Sequence, residues 1–479
     1  MRILRPFILS CVLACLANSS TLFAQFGPPA APEREKPSVD VVGEAIKKVH
    51  EQNLARHRND PDMLVLPGLL ADRKAKHVRI WGKMIGLPHA DPIEFFAIPP
   101  DSGKDYEALA IGYVRPSDVH KALEFVGVKP GRPVDYMKDR YWPKGERVLM
   151  TYEWEEKGKP RKARAEELII DTRTNRHLPL TGLVFTGSFM LQMEEGGKPV
   201  YAADVADPKS IASNYNDRST VLDVPRPAPQ GEVYSFQKTN PAFTFEPGQP
   251  VRIVLEPEYK DGKLRVRDVA LKAMMPAAAG NGGVGGGVGA LKFLLTDATG
   301  KSIAEGNTLV HVVAAFEKLA AAGQDAYVTL HVDDAMPLKG VRSFYEVVRS
   351  MDVENGIRVE PPPEGHLFYR AFFPDEEWRD RTNRLGRPWE LHVEKGAQGL
   401  SGRLILPADD IDDNDGKGDL TFPVKSADEM AKVLAEKSDR WSQTVYIFAP
   451  DDARYGDLMA FVRPSMKTHS TLYIFPERK

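Results

Sequence analysis

The stretch KDYEALAIGYVRPSDVHKALEFVGVKPG, residues 104–131, decides how the first half of the chain is read. Ala108 to Val114 form an apolar run of strand length. After it, Val119, Ala122, Leu123 and Val126 share one face of a short helix, with Ser117 placed to cap its start and Gly127 standing where a left-handed residue ends it. A strand feeding a one-sided helix has to bury both apolar faces, and the flanking residues supply the cover. Val78 and Ile80, Ile93 to Ile98, and Val148, Met150, Tyr152 and Trp154 carry the period-two or short apolar signal of strands, so Lys76 to Leu191 reads as a sheet. Lys157-Gly158-Lys159-Pro160 is a hairpin-like turn. Val251 to Leu255 and Leu264 to Leu271 read as two more strands closing this first region, which is assigned residues 63–275.

The start of the chain carries a different signal. Met1 to Ala24 reads as a secretory leader: Arg2 and Arg5 give a positive start, Phe7 to Leu16 is an apolar segment too short to span a bilayer, and Leu22-Phe23-Ala24 is the preferred cleavage site, with Ala17-Asn18-Ser19 as a second. Val12-Leu13-Ala14-Cys15 loosely resembles a lipoprotein box, which would instead lipidate Cys15. Both cysteines, Cys11 and Cys15, lie inside this leader, so the mature chain is expected outside the cytosol without disulfides, thiolate metal ligands or a cysteine nucleophile. No other run reaches the ~20 apolar residues of a membrane span. Residues 25–62 hold a Pro-, Ala- and Gly-rich tether, Gln25 to Pro37, and an amphipathic helix through Val39, Val42, Ile46, Val49 and Leu54 with Ser38 as its cap.

The chain has 479 residues, 42% hydrophobic and 27% charged, enough apolar material for about three folded units at ~150 residues each and incompatible with a disordered polymer. Lys and Arg total 64 against 67 for Asp and Glu, a net charge of −3, which becomes −5 once Arg2 and Arg5 leave with the leader. That balance supplies no global field for nucleic acid or an anionic membrane.

Residues 276–290 are almost wholly Ala and Gly and read as an interdomain linker. Beyond it the sequence repeats. In the first copy, 291–375, a strand from Leu291 to Leu295 precedes a helix carrying Leu309, Val312, Val313, Phe316 and Leu319. A strand through Val328 to Val332 leads to Asp333-Asp334-Ala335 and a helix with Val341, Phe344, Tyr345 and Val348. In the second copy, 376–479, a helix opens with Ser426 and Glu429 in capping-box spacing. A strand from Thr444 to Phe448 then leads to Asp451-Asp452-Ala453, a helix with Leu458, Met459 and Val462, and a last strand from Thr471 to Phe475.

Two resemblances emerge from these residues. Lys104-Asp105-Tyr106-Glu107-Ala108-Leu109, Pro116-Ser117-Asp118-Val119-His120-Lys121-Ala122-Leu123, Gly127 and Lys129-Pro130-Gly131 resemble the core of the YdjY-type domain of exported bacterial proteins. Trp154, Phe185-Thr186-Gly187-Ser188, Tyr201 with Asp204, and Asn214 to Asn216 before Leu222-Asp223 follow in that family's order, so the resemblance spans about Leu66 to Pro225. The family has His before the Glu of the first motif; Tyr106 takes that place here, and no role of that histidine is carried over. The order strand, Asp-Asp-Ala, helix, strand is similar to the periplasmic domain of the ExbD/TolR family. That family's transmembrane helix and its aspartate have no counterpart, so coupling to proton flow is not implied. The expected fold class is thus α+β multidomain: a mixed β-sheet YdjY-like domain followed by two small strand-helix-strand-helix-strand units.

Motifs for chemistry are sparse. Thr299-Gly300-Lys301-Ser302 ends like a phosphate loop, but Leu295 stands where its first glycine belongs, which leaves a hairpin turn. Asp409 to Asp419 concentrates oxygen ligands, yet with Gly416 at position six of an EF-hand loop the bidentate Glu would be Phe422. His331, Asp333 and Asp334 could converge on a divalent metal, but the second copy keeps only its aspartates, which suits capping of the next helix. Lys157, Lys159, Arg161, Lys162 and Arg164, and the run from Arg73 to Arg79, read as solvated faces, with anionic wall polymers as conceivable ligands. There is no G-x-S-x-G elbow, H-E-x-x-H motif or cysteine cluster, and no cofactor or metal is expected. Glu107 and His120 are the sharpest acid/base pair, and with Ser188 and Asp204 they form the candidate ligand-binding set, to be tested by whether the four converge.

These residues lead to an exported envelope protein acting as a non-enzymatic binding or scaffolding module, its partner an envelope protein or a small ligand. The competing expectations are a periplasmic acid/base hydrolase using Glu107 and His120, and an accessory protein docking an ExbD/TolR-type transport complex.

Overall fold

The computed structural model describes residues 40–135, 140, 142–193, 197–259, 265–275, 291–349, 357–360, 366–369, 388–397, 399–406, 419–436, 444–469 and 471–476. The segments read as leader and tether, the Ala/Gly tract and the acidic stretch from Asp409, apart from Asp419, lie outside the described residues.

The first half closes into a barrel. Eight strands contribute, β1 (His77–Met84), β2 (Phe95–Ile98), β3 (Ala108–Gly112), β4 (Arg147–Glu156), β5 (Leu183–Phe185), β6 (Ala212–Ser213), β7 (Leu222–Asp223) and β8 (Pro250–Pro257). Their order is β1-β8-β4-β5-β7-β6-β2-β3, and β3 pairs back onto β1. At that seam Gly82 faces Gly112, and a Cβ on Gly82 would come within 2.3 Å of the Ile111 carbonyl oxygen, so a glycine lets the last pair of strands meet. The alternation read in β4 is the barrel wall: Val148, Met150 and Tyr152 are fully buried and pack with Ile80, Phe95 and Ile253. The turn after β4 forms as expected, with Lys157 and Gly158 at positive φ, and it places the basic run on the exposed strand Lys159–Arg164.

Two of the helices beside the barrel are read from the sequence. Helix α1 (Val41–His57) is capped by Asp40, which accepts from the Gly43 N–H, rather than by Ser38; Ile46 is buried and Leu54 is exposed. Helix α2 (Pro116–Phe125) begins with Pro116 in its first turn, so Ser117 lies inside the helix and is not its cap. Val119, Ala122 and Leu123 are buried as read, and Gly127, at φ +92°, ends the helix.

The second half differs from the expectation first in where it begins. Leu264 to Leu271 does not close the first region: strand β9 (Val266–Met274) pairs antiparallel with β10 (Lys292–Asp297) and parallel with β12 (Asp325–Val332). The Ala/Gly tract therefore joins two hydrogen-bonded neighbours of one sheet, and the chain leaves the barrel between Pro257 and Val266. With β11 (Ser302–Gly306) and β13 (Ile357–Glu360), the sheet order is β11-β10-β9-β12-β13. The turn at Thr299 to Lys301 joins β10 and β11 as a hairpin, with Gly300 at φ +84°.

The last sheet follows the same plan. It consists of β14 (His366–Tyr369), β15 (Trp389–Gly396), β16 (Gly399–Leu406), β17 (Leu420–Val424), β18 (Thr444–Ala449) and β19 (Thr471–Pro476), in the order β17-β16-β15-β18-β19-β14. In each sheet three strands form an antiparallel meander whose first member lies parallel to the strand before Asp-Asp-Ala, and the strand after the next helix pairs parallel beyond it. The sheets are not separate units cut at residue 375, because β14 pairs with β19 of the second sheet. One apolar core serves both, from Leu271 and Phe316 to Leu391 and Ile474. The two Asp-Asp-Ala turns meet there: Leu338 N–H donates to the Ala453 carbonyl at 2.9 Å, and Tyr455 N–H to the Met336 carbonyl at 2.8 Å. Asp333 accepts from the backbone N–H groups of Ala335 and Met275, and among the described residues no group of three His, Cys, Asp or Glu side chains is placed to hold a metal.

The barrel and the second half are docked by charge. Arg147, at the head of β4, donates to Asp325 at 2.5 Å; Tyr327 donates to the Pro143 carbonyl at 2.5 Å; Lys144 pairs with Asp268. The Arg147 side chain is 5% exposed at this junction. Among the described residues no helix is long and apolar enough to cross a membrane.

Candidate functional site

Strand direction separates the four candidate residues. β2 and β3 run parallel, so Glu94 and Glu107, each just before its strand, stand side by side at one end of the barrel. β3 then carries the chain to the other end, where α2 begins. Three candidates gather there, and Glu107 is not among them.

At the α2 end, Asp204 accepts from the Ser117 N–H at 2.9 Å, giving the first turn of α2 the side-chain acceptor that its N-cap residue, Arg115, does not supply. Tyr201 donates to the Gly187 carbonyl at 3.0 Å, so the 2.9 Å contact between His120 Nδ1 and the Tyr201 hydroxyl has the imidazole as donor. The ring is held edge-on to Phe185 and Tyr201, and its Nε2 lies 3.4 Å from Glu124. Gly187 has φ +76°, and a Cβ there would lie 2.6 Å from Pro130 and 3.1 Å from His120, so the glycine read in the motif makes room for the imidazole. Ser188 donates to the Ser219 carbonyl at 2.6 Å. Each of the three side chains joins one loop or helix to another. Replacing Asp204 by Ala is expected to cost about 1 kcal/mol of stability, and by Asn much less, as read from urea denaturation.

At the opposite end lies a pair of carboxyl groups. Glu94 and Glu107 are 3% and 8% exposed, and the Glu94 N–H donates to the Glu107 carbonyl at 2.8 Å. Glu94 Oε2 accepts from Gln230 at 2.9 Å, on helix α3 (Gln230–Phe236), and Lys104 Nζ lies 3.5 Å from Glu107. Burial, followed by the neighbouring Glu107 carboxyl, pushes Glu94 up to about 7 against the hydrogen bond from Gln230. Two adjacent buried carboxyls share a proton more readily than they bear two charges, so this pair can hold or release one proton near neutrality. Sequence reading picked out Glu107 and missed Glu94, whose signal was a lone charge inside the apolar run Ile93 to Ile98. Asn214, from the segment Asn214 to Asn216, also belongs here: its side chain donates to the Ile93 carbonyl at 2.8 Å and to Gln237 at 2.7 Å.

An apolar cleft of about 230 Å³ opens near this end, lined by Met84, Leu87, Leu109, Leu168, Phe243 and Phe245 with His89 and Thr239 as polar groups. None of the four candidate residues lines it.

No curated protein matches the chain. Residues 69–216, from the short strand Leu69–Asp72 through the barrel strands β1 to β6, match the family model of the YdjY domain.

Proposed function

We propose that the chain is an exported binding or scaffolding module of the bacterial envelope, in which a YdjY-type barrel is joined to two tandem units similar to the periplasmic domain of the ExbD/TolR family. The observation that carries this reading is the commitment of the candidate side chains. Asp204 completes the start of α2, Ser188 ties down the segment at Ser219, and His120 is the first member of a chain through Tyr201 to the Gly187 carbonyl. A general base has to reach a substrate proton, and groups spent on the backbone in this way serve shape instead. The common strand order of the two last sheets supports the tandem-unit reading, and the apolar cleft offers a site for a small ligand.

The buried pair of Glu94 and Glu107 favours a second reading, an envelope enzyme working by acid/base hydrolysis with Glu107. One comparison separates the two. The mature chain is incubated with ester, glycoside and peptide probes, and a tagged copy is used to recover partners from the envelope fraction. The binding reading expects a stoichiometric partner retained by Glu107→Ala and no repeated turnover. Turnover abolished by Glu107→Ala, with the circular dichroism spectrum intact, would replace it with the enzyme. Recovery of the tagged chain from the cytosol with residues 1–24 attached would remove the envelope assignment.

A further inference from the structure

Three guanidinium groups meet where the barrel docks on the second half: Arg147 at the head of β4, Arg265 just before β9, and Arg358 on β13. The side chains of Arg147 and Arg358 are each 5% exposed and that of Arg265 is 25% exposed. Two carboxylates answer them. Asp325 takes Arg147 Nη2 at 2.5 Å and lies 3.8 Å from Arg358 Nη1, and Glu258 takes Arg265 Nη1 at 2.7 Å. Lys144 is matched separately by Asp268. Among the described residues the cluster is therefore one positive charge in excess.

Its hydrogen bonding is unbalanced in the same sense. Beyond the carboxylates, Arg147 reaches the Thr181 carbonyl at 3.5 Å and Arg358 the Pro225 carbonyl at 3.0 Å. Among the described residues, the Nε groups of all three arginines and Nη1 of Arg358 are buried without a hydrogen-bond acceptor, and Glu258 Oε2 is left without a donor. An unsatisfied buried guanidinium N–H is costly, and several together with a surplus positive charge call for a partner that is negative and rich in acceptors. Cations and apolar molecules fit neither requirement.

We propose that this junction binds a small oxyanion, of carboxylate or phosphate type, against Arg147 and Arg358, reached from the solvent side at Arg265. Charge-assisted hydrogen bonds to a guanidinium are the strongest such an anion can make, and one that touches both halves of the molecule stabilises their docking by mass action.

The test is thermal unfolding of the mature chain at fixed pH and ionic strength, with sodium chloride replaced stepwise by inorganic phosphate or by sodium acetate. A saturable rise in the transition with either anion over chloride is expected, and which of the two acts distinguishes phosphate from carboxylate chemistry. Arg358→Gln should weaken the apparent affinity at least tenfold. Because that variant can loosen the junction by itself, Arg265→Gln at the exposed edge provides a second measurement, with the affinity reduced several-fold in a folded protein. Equal shifts in phosphate, acetate and chloride would overturn the proposal, as would titrations of Arg265→Gln that superimpose on those of the parent.

Discussion

Asp325→Ala, measured in chloride buffer, is expected to lower stability by about 3–5 kcal/mol and to split a calorimetric unfolding transition into two. Its carboxylate sits between Arg147 and Arg358, both buried, so removing it leaves two guanidinium groups facing each other out of water. The penalty comes from those stranded charges more than from the ion pair itself. It falls on the junction, since Arg147 belongs to β4 of the barrel while Asp325 and Arg358 belong to β12 and β13. The apolar cores of the two halves are separate clusters and should survive the loss. A variant that unfolds in a single transition at the parent's temperature would show that charge does not dock the two halves.

Stability should also fall as the pH rises from about 4.5 to 7, and Glu94→Gln should remove that dependence. An unfolded Glu94 ionises near 4.5, whereas the folded one keeps its proton to about 7. Between those values the folded chain holds a proton that the unfolded chain releases, so this carboxyl's contribution is complete below about 4.5 and lost above about 7. At 1.36 kcal/mol per pH unit the span amounts to about 3 kcal/mol. Glutamine keeps an acceptor for Gln230 and cannot ionise, so Glu94→Gln should match the parent at pH 4.5 and exceed it at pH 8 in urea denaturation. Parallel curves for the two proteins across this range would count against a shared proton.

Local elements were legible in the sequence because local rules made them. The run from Ala108, the buried face of α2 and the left-handed Gly127 all follow from period and steric demand within a few residues. Partnerships were harder. β6 and β7 are two residues long and carry no period, yet they close the barrel. β9 alternates like a barrel strand, and nothing within it says that its partners are β10 and β12. The glycine tract after it looked like a boundary because composition reports the absence of a core and not what the flanking strands pair with.

The site shows the same limit. Glu107 and His120 are 13 residues apart, close enough in sequence to suggest a pair, but the five residues of β3 at about 3.3 Å each put them on opposite ends of the barrel. Glu94 is distant in sequence and adjacent in space because β2 and β3 are parallel neighbours. Ser117 had the right residue type for a cap in nearly the right place, and the cap came from Asp204 across the fold.

A double-mutant cycle on Glu107→Gln and His120→Ala, read by urea denaturation at pH 7, tests the separation on which the binding reading rests. The two stability changes should add within about 0.5 kcal/mol, as for sites that share no partner. A coupling above about 1 kcal/mol would mean that the two side chains form one unit, and would return the acid/base pair to the centre of the molecule.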